Sequence, residues 1–179
     1  MTGPSTEKTP PPFEERLAEL AEGADHYYLK SSSIVERIEH NGRVFYSKFR
    51  RIDRRPNAIL LSQHLRKEVT LALPLLHKGV GDKLIIEYLG EEPEHFLQTL
   101  VRLFEHLGLR GYALFQGKRG KRRTVILPLP PQGLDSLHRL GGELSDMLQT
   151  RLPKSWRILP DRRLPESYNI YTLPYGYIN

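Results

Sequence analysis

The second half of the chain places helix-like and strand-like segments in an order that few folds share. Four short β-rich runs are present: LIIEYL (84–89), YALFQ (112–116), RTVILP (123–128) and SWRILP (155–160). One amphipathic helix is predicted between the first two runs, ending at Gly108, and another between the last two, starting near Leu134. Strand, helix, strand, strand, helix, strand is the split βαβ order, so we predict an α+β fold with a ferredoxin-like core.

The first half predicts an extension to this core. Apolar residues recur at helical spacing over 13–21, and Gly23 stands where a helix would stop. Further on, Asn41-Gly42 separates two β-rich runs. This pair suits a type I′ turn, which needs positive φ at both positions, so a β-hairpin is predicted.

Weaker patterns complete the chain. A short helix is predicted over 58–66, entered at Asn57, followed by a strand over 69–76 that Pro74 interrupts. Near the end, alternation over 168–172 predicts one extra strand against the sheet.

Length and composition indicate one domain with a tail. Residues 1–12 are polar and proline-rich and predict a disordered tail, which leaves 13–179 as a single domain in a chain of 179 residues. The chain has no cysteine, which excludes disulfides and thiolate metal ligands. We see neither a signal-peptide pattern nor an apolar run of about 18 residues, so we expect a soluble, cytoplasmic protein without a membrane partner.

The run GKRGKRRTVI (117–126) concentrates positive charge just before a predicted strand. The formal net charge is +6, and 118–123 alone contribute five cations and no anion. A solvated turn is the usual meaning of such a run. A cluster of one sign repels itself, however, and this favours a missing anion such as a phosphate. The candidate phosphate-binding residues are Lys118, Arg119, Lys121, Arg122 and Arg123, with Arg51 from a second basic cluster over 48–55.

The two glycines of this loop suggest how an anion would be held. Gly117 and Gly120 permit positive φ, so successive N–H groups could converge on the anion as a nest. The spacing is not that of a Walker loop, because no GK[ST] occurs and no helix follows.

An aromatic residue on a central strand is a candidate for base stacking. Tyr88 lies beside Glu87 in the first of the four runs, where an outward ring could stack on a base. Core packing is the alternative for this ring.

The seven histidines show no metal-ligand spacing.

Several longer segments resemble a small family of uncharacterised proteins from Helicobacter and related bacteria, defined as a domain of unknown function. The resemblance rests on DHYYLKSSSIVERIEHNGRVFYSKFRRID, NAILLSQHLRKEVTLA, LPKSWRILP and NIYTLPY, which agree in order and spacing. It covers most of the chain after the tail and implies no particular activity.

A fainter resemblance concerns residues 84–129 and 155–176, which are similar to the core of archaeo-eukaryotic-type primases. That core carries two alternate acids for metal on one strand and a phosphate-contacting histidine on a later one. Glu87 stands at the first acid position, but Leu89 replaces the second, and Arg122 replaces the histidine. The resemblance therefore implies nucleotide binding without the carboxylate cluster that two-metal catalysis needs.

Three functions are compatible with the sequence. We favour a non-catalytic protein that binds phosphates of a nucleotide or nucleic acid, with no resident cofactor. A metal-dependent nucleotidyl-transfer or nucleotide-hydrolysing enzyme would use Glu87 and require Mg²⁺ and a second carboxylate nearby. A protein-interaction module would recruit a partner by strand addition to the hairpin or to the tyrosine-rich C-terminal strand.

Overall fold

The computed structural model describes residues 9–178 and is a mixed α+β fold, as expected. Its four α-helices are α1 (Phe13–Ala21), α2 (Ala58–Leu65), α3 (Pro93–Leu107) and α4 (Leu134–Gln149), and a short 3-10 helix covers Glu166–Tyr168. Its strands are β1 (Tyr27–Lys30), β2 (Glu36–His40), β3 (Arg43–Ser47), β4 (Phe49–Ile52), β5 (Leu71–Pro74), β6 (Val80–Tyr88), β7 (Ala113–Gln116), β8 (Arg123–Gly133), β9 (Trp156–Leu159), β10 (Ile170–Thr172) and β11 (Gly176–Tyr177). Most of the predicted tail, residues 1–8, lies outside the described residues.

The strands form two antiparallel sheets and a separate hairpin. The first sheet has the order β10-β5-β1-β4, and the second has the order β11-β7-β8-β6-β9. In the hairpin, β2 pairs with β3. Strands β1, β4 and β5 therefore lie in one sheet and β6 to β9 in the other, while β10 adds to the first sheet and β11 to the second.

Local sequence signals account for several boundaries. Asn41 and Gly42 have φ of 50° and 73°, as a type I′ turn requires, and the predicted hairpin is confirmed. At the start of α2, the Asn57 side chain accepts a hydrogen bond from the Leu60 N–H at 2.9 Å. Helix α3 ends at Gly108, whose φ is 68°.

Alternation along β6 divides the interior into two apolar cores. Leu84, Ile86 and Tyr88 pack with α3 and α4 on one face of the second sheet. Ile85 lies on the other face and packs against the first sheet, α1 and α2. Beyond Ile85 on that second face comes Glu87, at the end of the strand.

The structure corrects two sequence expectations. Strand β8 continues through Pro130 and Pro131 to Gly133, because its far end pairs with the start of β6. The single C-terminal strand is instead two short strands in different sheets: β10 pairs with β5, and β11 pairs with β7. The C-terminal segment thus joins the two sheets.

Within the described part of the chain, no helix has both the length and the apolar character needed to cross a membrane.

Candidate phosphate-binding cleft

A cleft of about 390 Å³ opens where the two sheets meet at the end of β6. Its polar and charged walls are formed by Lys30, Thr70, Glu87, Lys118, Arg119, Arg122, Arg123, Thr124, Arg157 and Thr172. Six of these side chains are cationic, and Glu87 is the single carboxylate among them. The cleft therefore carries a large excess of positive charge.

The basic loop connects β7 to β8 in a closed turn. The Gly117 N–H donates to the Arg122 carbonyl at 3.0 Å, and the Arg122 N–H donates to the Arg119 carbonyl at 2.9 Å. A Cβ at Gly117 would lie 2.8 Å from the Arg122 Cβ, so glycine is needed there for close approach. Neither Gly117 nor Gly120 has positive φ. The predicted anion nest is therefore wrong: two of its N–H groups already close the turn, and phosphate contacts would come from side chains.

Three loop cations line the cleft without a carboxylate partner. Among residues 9–178, Lys118, Arg119 and Arg122 lie within ion-pair distance of no Asp or Glu side chain. The Lys118 Nζ donates to the Thr70 Oγ1 at 3.0 Å, which ties the loop to the first sheet. The charges of Lys118, Arg119 and Arg122 are therefore available to an anion in the cleft.

The other two loop cations already have protein partners. Lys121 forms an ion pair with Glu91 and is not part of the cleft wall, and its hydrogen bond to Glu91 raises the pKa of the Lys121 amine. Arg123 lies in the wall with its Nη1 donating to the Arg122 carbonyl at 3.0 Å and its Nη2 3.7 Å from the Glu94 Oε1. Arg123 thus shapes the loop, while Lys121 faces α3.

Two cations of the cleft were missed from the sequence. Lys30 ends β1 in the first sheet, and Arg157 lies on β9 next to Glu87 on β6. The Arg157 Nε donates to the Glu87 Oε2 at 3.0 Å. Because both residues come from strands far away in the chain, no local pattern signals their approach to the loop.

Arg51 lies outside the cleft wall but on the same face of the first sheet as Phe49, which does line it. The Arg51 Nε donates to the Asp53 Oδ1 at 2.6 Å, and this hydrogen bond raises the pKa of the guanidinium. About half of its side chain, 51%, remains exposed.

Tyr88 is a core residue rather than a stacking platform. Tyr88 borders the cleft but is only 4% exposed, and its ring stacks on Phe96 with centroids 4.5 Å apart. Its hydroxyl accepts a hydrogen bond from the Glu92 N–H at 2.7 Å. Leu84 and Ile86 precede it on the same strand face, so the period-2 pattern was the signal that could have shown this orientation.

A buried histidine stacks on a tyrosine of the cleft wall. Tyr175 lines the cleft and stacks on His64 with centroids 4.2 Å apart. The Leu71 N–H donates to the His64 Nδ1 at 3.1 Å, and the Nε2 lies 2.9 Å from the Leu173 carbonyl. His64 is therefore held as the neutral tautomer with its proton on Nε2. Burial lowers the pKa of His64, and the nearby charge of Lys118 lowers it further.

Two observations concern the alternative functions, the metal-dependent enzyme and the protein-interaction module. Within residues 9–178, no group of three or more His, Asp or Glu residues could hold a metal ion. In the C-terminal segment, Ile170, Tyr171 and Leu173 are buried, and both short strands are paired within the chain.

Comparison with known proteins gives a family match over part of the chain. Residues 17–83 are similar to a domain of unknown function, DUF1882. No curated protein matches. Among solved structures, the polymerase domain of Mycobacterium tuberculosis ligase D in complex with DNA is similar over 92% of this chain and 74% of its own, with 14% identity and a TM-score of 0.49.

Proposed function

We propose that the cleft binds phosphates of a nucleotide or nucleic acid, and that the protein acts as a binder. The carrying observation is the composition of the wall: six cations face one carboxylate, and that carboxylate is already paired with Arg157. Arg123 is paired with Glu94 outside the wall, so Lys30, Lys118, Arg119 and Arg122 remain for the ligand. Phosphate oxygens match them because they accept several charge-assisted hydrogen bonds at once.

The physical role of these side chains is charge neutralisation. A polyanion bound by Lys and Arg releases condensed counterions, so its affinity falls as salt is added. The single-sign wall also raises the local concentration of anions and speeds their association.

The proposal includes a ferredoxin-like core and a cytoplasmic location. The order β7-β8-β6-β9, antiparallel throughout, supports such a core, and the absence of cysteine supports the location.

The first test compares two charge reversals in the same loop. Arg122→Glu is expected to weaken binding of a labelled single-stranded oligonucleotide by about tenfold or more, because it removes a cleft cation and adds an anion. Lys121→Glu is the matched control, since Lys121 faces Glu91 outside the cleft wall. Its expected loss is about twofold, from the change in net charge alone. Filter binding at one low salt concentration measures both variants.

Equal losses in the two variants would contradict the proposal, because binding would then follow net charge and not the cleft. Thermal unfolding of each variant checks that the fold is intact.

A second prediction concerns the carboxylate of the cleft. Glu87→Gln is expected to increase affinity for the same oligonucleotide by about threefold to tenfold, because it frees the Arg157 guanidinium and removes a negative charge. Glu87 is only 13% exposed, and Gln preserves its shape. Filter binding of the purified variant decides, and weaker binding would assign Glu87 a direct role with the ligand.

A further inference from the structure

We infer that the ligand of the cleft is a single-stranded polynucleotide, which leaves the cleft across the first sheet along Phe49 to Arg51. This inference rests on the proposed phosphate-binding function and names the ligand class within it. It adds a base contact inside the cleft and a second phosphate contact outside it.

The first observation is that the cleft wall is not purely ionic. Phe49 is half-buried and Leu89 is 44% exposed, and both line the cleft beside the basic loop. Inorganic polyphosphate offers such side chains nothing apolar to contact. A base with an open face does, and cationic grooves with aromatic side chains are the usual means of binding single strands.

The same side chains disfavour a duplex. In a duplex the faces of the bases are stacked inside, and the exposed phosphates would contact only the cations. Phe49 and Leu89 would then remain without a partner in the cleft wall. A single strand can contact the cations through its phosphates and the apolar side chains through its bases.

The second observation is the continuity of one face of the first sheet. Lys30 lies directly opposite Phe49, and Tyr28 lies directly opposite Arg51, so all four side chains share a face. Phe49 and Arg51 are two residues apart on an extended strand, which places them about 7 Å from one another. A chain of phosphates leaving the cleft at Phe49 therefore meets the guanidinium of Arg51 next.

Arg51 is the cation that this edge offers along the path. Arg50, which lies opposite Leu29, alternates to the other face of the strand, and the Arg54 Nε donates to the hydroxyl of Tyr27, also on that other face, at 3.3 Å. A mononucleotide held by the loop would not reach Arg51, whereas a strand of several nucleotides would.

The test measures how affinity depends on strand length and strandedness. Fluorescence anisotropy is recorded with single strands of about 4 and about 12 nucleotides and with a duplex of the longer sequence. The proteins are the wild type, Phe49→Leu, Arg51→Glu, Arg122→Glu and Arg66→Glu. Arg66 is the matched control for Arg51, because it also pairs with an acid two residues on, Glu68, and is 57% exposed.

The longer single strand is expected to bind the wild type about tenfold more tightly than the duplex. Phe49→Leu, which keeps an apolar side chain in the fold, should weaken binding of both single strands about fivefold and leave the duplex unchanged. Arg51→Glu should weaken the longer strand about tenfold and the shorter one less than about twofold, while Arg66→Glu changes neither by more than about twofold.

The inference is overturned if the duplex binds as tightly as the single strand, if Phe49→Leu has no effect, or if Arg51→Glu matches Arg66→Glu. In that case Arg122→Glu still weakens every probe, and the phosphate-binding function stands. If Arg122→Glu weakens none of them, the proposed function itself fails.

Discussion

Replacing Lys118, Arg119 and Arg122 together by alanine is expected to lower affinity for a single-stranded oligonucleotide about 10²- to 10³-fold at low salt. Hydrogen bonds to charged groups contribute about 1.5 kcal/mol or more each, and three such losses give this range after allowance for non-additivity. The slope of log affinity against log salt should also become shallower by about 3, one unit for each lost phosphate contact.

A salt series for the wild type and the triple variant measures both quantities. A matched triple variant at Arg102, Arg110 and Arg139, which are absent from the cleft wall, controls for net charge. If the salt slope is the same in the two triple variants, the loop makes no phosphate contacts in the cleft.

The second large effect is expected at His64. Replacing His64 by leucine should destabilise the fold by about 2 to 5 kcal/mol, because the Leu71 N–H and the Leu173 carbonyl both lose a buried partner. The stacking on Tyr175 is lost as well. Urea unfolding measures the change, and His106→Leu, at an exposed position on α3, is the control with little expected loss. A His64→Leu loss no larger than that of the control would contradict the structural role.

The same residue predicts how stability depends on pH. Burial lowers the pKa of His64 below its unfolded value of 6.5, so below that pH the unfolded chain takes up a proton that the folded chain resists. The contribution of His64 to the free energy of unfolding should therefore be complete above about pH 6.5 and should decrease as the pH falls below that value. In His64→Leu this part of the pH dependence should disappear, and urea unfolding between about pH 7.5 and about pH 5 tests it. If the free energy of unfolding decreases equally in His64→Leu, the pH dependence comes from other titratable groups.

Much of the local structure could be predicted from the sequence because its causes are local. Asn41-Gly42 specifies its turn through the φ values that these residues tolerate, and Gly108 ends α3 in the left-handed region. Spacing over 13–21 predicted α1 with its observed ends. In each case, neighbours within a few positions determine the conformation.

The cleft could be predicted only in part because its walls are assembled from distant segments. The loop cations are visible as a run, but Lys30 and Arg157 approach them only through the pairing of strands in two sheets. The partner of Lys121 is Glu91, on the approach to α3, so its exclusion from the cleft depends on tertiary structure. The composition of the loop indicates that it attracts anions. It does not indicate which of the loop side chains face the cleft.

Lys118 lines the cleft and its charge also lowers the pKa of His64, so the cleft and this histidine are thermodynamically linked. An anion that neutralises Lys118 would relieve part of the electrostatic penalty on a protonated imidazole, so an occupied cleft raises the proton affinity of a group sealed in the interior. By reciprocity, protonation of His64 in the folded chain would tighten anion binding. The His64 ring resonances would then serve as a built-in reporter of ligand occupancy, visible by NMR without any label on the ligand.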